Sequence, residues 1–168
     1  PGKPLQMGVN IEIADGIISD ISEKSSSEGH VIDCSKKYVL PGFVNAHTHC
    51  YQNMMRGLGS DLQFVNWLTS VKYPICEIMD EKDIYISTII AHLEMMRSGI
   101  TTAVDNFDFK NDLDGVRIVA RACHDSGIRS VIARGMRTRT EIAEKWQVPE
   151  WLIPNDEKTE INISEHVI

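Results

Sequence analysis

The sequence predicts an α/β fold from Gly42 onward, preceded by a small β-rich segment over residues 1–41, and three observations carry that reading. Apolar runs of strand length at 42–49, 100–105 and 128–134 alternate with longer stretches of helical periodicity, the order expected of parallel βαβ units. Gly99 and Gly127 each stand between a helical stretch and the strand that follows, where a helix C-terminus favours glycine. The first forty residues show no helical period. They carry Asp15-Gly16, a strong hairpin signal, between Gly8 to Ile13 and Gly16 to Ile21.

In chain order, the hairpin is followed by a Ser25-Ser26-Ser27-Glu28-Gly29 loop, and strand is expected to resume at Val31-Ile32 and at Tyr38-Val39-Leu40. The first strand of the α/β part enters through Pro41-Gly42 and ends at His47-Thr48-His49. A loop with Arg56-Gly57 and a helix from Leu62 to Val71, stopped by Pro74, come next. Asp80-Glu81-Lys82-Asp83 opens a longer helix to about Ser98, because acidic groups suit a helix N-terminus and Ile86, Ile89, Ile90, Leu93 and Met96 recur at helical spacing. Ile100 to Asp105 is the second strand, about Asp112 to Ser126 the next helix, and Ile128 to Arg134 the third strand. A short helix at Glu141 to Trp146 and a loop over 149–158 complete the reading.

Composition narrows the function. The chain is 42% hydrophobic and 24% charged, with no run of about 18 apolar residues of membrane-spanning type and no signal peptide. A net charge of −7 and an isoelectric point near 5.3 disfavour a phosphate-backbone partner, so neither nucleic acid nor membrane is expected. Cys34, Cys50, Cys76 and Cys123 match no paired spacing, which points to reduced thiols in the cytoplasm.

The chemistry starts at His47 and His49. Side chains on a strand alternate faces, so two histidines one residue apart converge on one point and present two imidazole nitrogens to a borderline metal such as zinc. The plain alternative is an exposed strand-end pair without a role.

The segment Asn45-Ala46-His47-Thr48-His49 resembles the first barrel strand of the amidohydrolase superfamily, in its deaminase and chlorohydrolase branch. Ile13-Ala14-Asp15-Gly16-Ile17-Ile18, Val39-Leu40-Pro41-Gly42, Trp67-Leu68, Tyr73-Pro74, Arg97-Ser98-Gly99-Ile100-Thr101-Thr102 and Gly127-Ile128-Arg129 agree in order and spacing. The resemblance covers roughly residues 8–136. It implies the N-terminal portion of a (β/α)8 TIM barrel, with 42–168 forming its first βα units and 1–41 forming part of a composite β-sandwich. Since such a barrel needs about 250 residues, too few follow Phe43 to close one, and the remainder of the barrel is an expected partner.

The resemblance further implies one Zn2+ ion per complete site, or alternatively Fe2+, held by His47 and His49 with a histidine and an aspartate from later strands. Metal-activated water would displace an amine or chloride from a small heterocyclic substrate. The groups that move protons lie on later strands, so no catalytic residue is assigned here. Arg134 resembles a substrate-contacting strand-three arginine, the alternative being an ion pair with Asp105. Trp67 is placed to wall the pocket, with simple core packing as its alternative. Asp105 and Asn106 are candidates to orient the strand-one groups, or to cap the next helix. Cys76 stands at the substrate position where adenosine-type relatives carry glutamate, and a thiol cannot accept two hydroxyl hydrogen bonds as a carboxylate does. That departure disfavours a nucleoside substrate, and the Arg97–Thr102 run followed by Asp105-Asn106, with Trp67-Leu68 and Tyr73-Pro74, resembles the triazine chlorohydrolase subgroup more closely. A cyclic amidase, or an inactive chain serving only assembly, are the other readings, and a homo-oligomer is expected. Met54, Met55, Met79, Met95 and Met96 are read as core, and His92 as a boundary residue rather than a ligand.

Overall fold

A computed structural model describes residues 4–24, 29–109 and 113–134. The chain divides into two compact units, 1–40 and 41–168. The expected helix at Glu141 to Trp146 and loop at 149–158 lie outside the described residues.

In the first unit β1 (Asn10–Ala14) pairs antiparallel with β2 (Ile17–Ser22). Asp15 and Gly16 both take left-handed backbone, φ 51° and 75°, the primed turn whose twist matches paired strands. The strands expected at Val31-Ile32 and Tyr38-Val39-Leu40 are instead irregular backbone. Apolar, β-prone residues make a strand only where a neighbouring strand supplies a hydrogen-bonding ladder, and these have none among the described residues.

The second unit is built on a parallel sheet ordered β3 (Phe43–Thr48), β4 (Ile100–Phe107), β5 (Arg129–Arg134). The register between β3 and β4 slips between Asn45 and Thr48, so side-chain alternation is not strict through His47. Gly42 is required where the chain enters β3, because a Cβ there would overlap the Thr101 side chain.

Helices cover one face of the sheet. The first helical stretch differs from expectation: α1 (Phe64–Trp67) runs through a π-helical segment, Leu68–Lys72, into α2 (Tyr73–Ile78). Pro74 therefore does not stop the helix: it lies in the first turn of α2, just past the π-helical segment, where the Tyr73 N–H before it bonds to the Leu68 carbonyl. α3 (Glu81–Arg97) begins as expected at Asp80, whose carboxylate accepts from the Asp83 backbone while Asp83 returns the bond to the Asp80 N–H. Gly99, with φ 82°, ends it. α4 (Leu113–Ser126) precedes β5, with Gly127 closing it through a bond to the Cys123 carbonyl.

Two apolar clusters sit between sheet and helices. Tyr51, Val71, Ile84, Phe107, Val119 and Ile132 belong to the larger, and Cys50, Ala91, Met95, Ala103 and Ile128 form the smaller. Met55, Met79 and Met95 are buried as expected, whereas Met54 is half exposed. His92 is a clear departure: it is wholly buried, because its position on α3 faces the sheet and not the helix edge.

Candidate metal centre at the strand ends

His47 is the penultimate residue of β3, and His49 lies just past its end, where the chain turns into a 3-10 helix, Cys50–Met55. Their rings stand edge to face with centroids 5.0 Å apart. The His49 Nδ1 is 2.6 Å from the Asn106 carbonyl oxygen and 3.3 Å from Asp108 Oδ1. Both partners only accept, so Nδ1 carries the hydrogen and Nε2 keeps its lone pair, the arrangement of a metal-ligating histidine. His47 Nδ1 meets the Asn106 side-chain amide at 2.9 Å. That amide serves either tautomer, offering a donor or, rotated, an acceptor.

Asp108 is the anchor beneath His49. Its Oδ1 accepts from the Tyr51 hydroxyl at 2.6 Å and its Oδ2 from the Lys72 ammonium at 2.5 Å. Burial works to raise the Asp108 carboxyl, yet hydrogen bonds from His49, Lys72 and Tyr51 win and hold it far below the usual carboxylate range. The hydrogen bond to Asp108 in turn lifts His49 above its ordinary value against the opposing effect of burial. Lys72, only 3% exposed, sits on the π-helical segment near the faces of Tyr51 and Tyr73. Tyr51, Phe107 and Phe109 pack mutually at 5.4–5.8 Å between centroids and stiffen this base.

Beside His49 opens a cleft of about 400 Å³, lined by Thr48, His49, Gln52, Asn53, Arg56 and Trp67 among others. Trp67 donates from its indole nitrogen to the Leu58 carbonyl at 3.0 Å, which fixes its ring at the cleft wall. Arg56 braces the loop, paired with Glu94 at 2.6 Å and bonded to Asn53.

The structure thus gathers His47, His49 and Asn106, and it ties in Asp105 through the Cys50 backbone N–H, which donates to Asp105 Oδ1 at 3.0 Å. Arg134 ends β5 in register with Phe107, two residues beyond the level of Asp105 and Ile132. Cys76, expected at the substrate, is 6% exposed within the larger apolar cluster and is not among the residues lining the cleft. Sequence reading missed Asp108, Lys72 and Tyr51. The one available signal was Asp108 two residues beyond Asn106, within reach of a strand-end histidine.

Residues 38–168 match the amidohydrolase family, and the chain belongs to that family. It is 38% identical over 127 residues to a 5-methylthioadenosine/S-adenosylhomocysteine deaminase of Syntrophomonas wolfei, covering 74% of this chain and 28% of that protein. A 5'-deoxyadenosine deaminase of Methanosarcina barkeri is 35% identical over 127 residues, covering 75% and 28%. The chain therefore spans under a third of the length of these relatives. Among solved structures, a variant of atrazine chlorohydrolase from Arthrobacter aurescens, complexed with zinc and atraton, superposes with a TM-score of 0.56 at 23% identity. That match covers 73% of this chain and 30% of the other and shows a shared fold.

Proposed function

We propose that these residues supply the first strands of a (β/α)8 barrel in a metal-dependent hydrolase that removes an exocyclic amine, or a comparable leaving group such as chloride, from a nitrogen heterocycle. The observation that carries this reading is the commitment of His49 Nδ1 to two acceptors, which leaves Nε2 as a lone pair beside the His47 ring. Those residues fit a divalent ion of the zinc or iron type, with the remaining ligands drawn from strands beyond the described residues. When bound, such an ion acidifies water toward neutral pKa and polarises the attacked centre.

The chain's own residues hold and shape the site. Asp108 and the Asn106 carbonyl fix the His49 ring, and the Asn106 amide fixes His47. Asp105 pins the backbone that follows His49. Trp67 walls the cleft against the ring of a planar substrate, and Arg134, an always-charged fork, suits ring nitrogens or a carboxylate. Cys76 supports the cleft from the core behind it. The names of the sequence relatives favour an amine leaving group on a purine nucleoside, despite the thiol at Cys76. No helix among the described residues is long and apolar enough to cross a membrane, and four cysteines outside any disulfide support a cytoplasmic setting.

The test uses the full-length enzyme with His47→Ala and His49→Ala. Metal content is measured alongside ammonia release from 5'-deoxyadenosine and methylthioadenosine and chloride release from a chlorotriazine. The metal at the barrel mouth and turnover are expected to disappear together. Full metal occupancy at the barrel mouth in the variants would show that these histidines are not ligands.

A further inference from the structure

A second polar cluster lies on the other face of β4, away from His47. Cys50, His92 and Asp105 come from three separate elements, the 3-10 helix, α3 and β4, and are 1%, 0% and 0% exposed. One donor atom from each, a sulfur, a ring nitrogen and a carboxylate oxygen, lies within 4.8 Å of the other two. Two of the side chains have an atom with no hydrogen-bond partner, His92 Nε2 and Asp105 Oδ2.

The hydrogen positions can be worked out from the neighbours. The Ser126 hydroxyl donates its single hydrogen to the Cys123 carbonyl at 3.1 Å. It can therefore only accept from His92 Nδ1, 3.0 Å away. The proton of neutral His92 then sits on Nδ1, and Nε2 is a bare lone pair pointing at nothing that donates. Asp105 Oδ1 is used by the Cys50 N–H, and Oδ2 has no partner other than the Cys50 thiol that interacts with this carboxylate. Nitrogen, oxygen and sulfur donors thus share one buried pocket, where a polar atom left without a partner is unfavourable. A single proton bridges one pair and leaves the third atom unmet, whereas a divalent cation satisfies all three.

We propose that Cys50, His92 and Asp105 form a structural zinc site behind the sheet, separate from the His47/His49 centre and independent of the reaction assigned to it. A thiolate, an imidazole and a carboxylate are the donors zinc prefers, and the thiolate discriminates against magnesium and calcium. With metal–ligand distances of about 2.0–2.3 Å, the farthest pair has to close by about an ångström to reach tetrahedral spacing. The Thr48 hydroxyl, which approaches the Cys50 thiol, or a water completes the shell. Ser126 plays the outer part, holding His92 in the ligating tautomer. Bound there, zinc clamps α3 to β4 and to the turn that leaves His49.

Cobalt(II) added to the full-length, metal-stripped protein reads this site without any assay of activity. Cobalt bound to Cys50 gives a thiolate-to-metal charge-transfer band that a mouth site of histidine and carboxylate ligands cannot give. The band is expected at one equivalent in the wild type and in a His47→Ala/His49→Ala variant, and is expected to vanish in Cys50→Ser. Ser126→Ala should weaken cobalt or zinc binding by about 10–100-fold. A wild-type protein that takes up cobalt without the thiolate band overturns the proposal and leaves the reading of His47 and His49 standing, whereas one that takes up none overturns both. Loss of the band in His47→Ala/His49→Ala, with the circular dichroism of the wild type retained, also overturns it, since the two sites would then be one.

Discussion

The two faces of β4 carry different kinds of polar residue. Ala103, Asp105 and Phe107 are wholly buried against residues of α3 and α4, while Thr102, Val104 and Asn106 are half-buried on the opposite face. Asp105 and Asn106 are neighbours in sequence, yet one supports a backbone N–H inside the helix-covered layer and the other reaches a histidine ring on the open side. Their contrast shows that face, more than residue type, decides whether a polar group at a strand end serves the helix-covered layer or the open histidine site.

The contrast is under greatest strain just past the strand end, at Asp108. It serves the histidine site, yet it is anchored by a lysine nearly as buried as the residues of the covered face. Asp108→Ala breaks the buried ion pair with Lys72, and a loss of about 3–5 kcal/mol is expected in urea denaturation. Adding Lys72→Met should recover a large part of it. A double variant no more stable than the single would show that the ion pair is not what the fold depends on. The pH dependence has two opposite arms. Asp108 titrates lower when folded, so its contribution is complete above the ordinary carboxylate range and is lost only as pH falls toward its depressed folded value. His49 titrates higher when folded, so its contribution is complete below about 6.5 and is lost as pH rises through the folded value. Proton loss from that ring is also what a metal requires. Asp108→Asn should therefore move the pH midpoint of metal uptake downward while weakening the limiting affinity by about 10–100-fold.

Much of this was legible in the sequence because the signals were local. The Asp15-Gly16 turn, the Asp80–Asp83 cap, the glycine stops at 99 and 127 and the three parallel strands all follow from short-range chemistry. The strand ends and the His47/His49 pair were likewise visible as spacing. What escaped depends on pairing across distance. Val31-Ile32 has strand composition, but composition does not provide a ladder partner. Pro74 reads as a stop or a start depending on the π-helical turn before it. His92 looks like a helix-boundary residue until α3 docks on β4 and buries it. Lys72 and Asp108 are 36 residues apart, and no periodicity marks two opposite charges that are buried only because they meet.

The next largest effects separate the two faces directly. Asp105→Ala leaves the Cys50 N–H buried without an acceptor, and about 1–3 kcal/mol should be lost. Asn106→Ala removes a side chain on the open face, so stability should change little while metal retention or KM suffers. If Asn106→Ala proves the more destabilising of the two, the face-based distinction fails.

Arg56 gives the smallest expected effect and the sharpest control. It lies at the cleft rim, paired with Glu94 and bonded to Asn53, and resembles a binding residue by position. Both partners of the pair are about half exposed or more, at 60% and 51%. Water screens an ion pair of that kind, and ordering two long side chains offsets most of what attraction remains. Arg56→Ala should leave the unfolding midpoint within error at ordinary salt, with kcat/KM also unchanged. A clear fall in kcat/KM alone would reassign Arg56 from loop brace to substrate contact, and would show that at this rim an exposed ion pair can still serve the substrate.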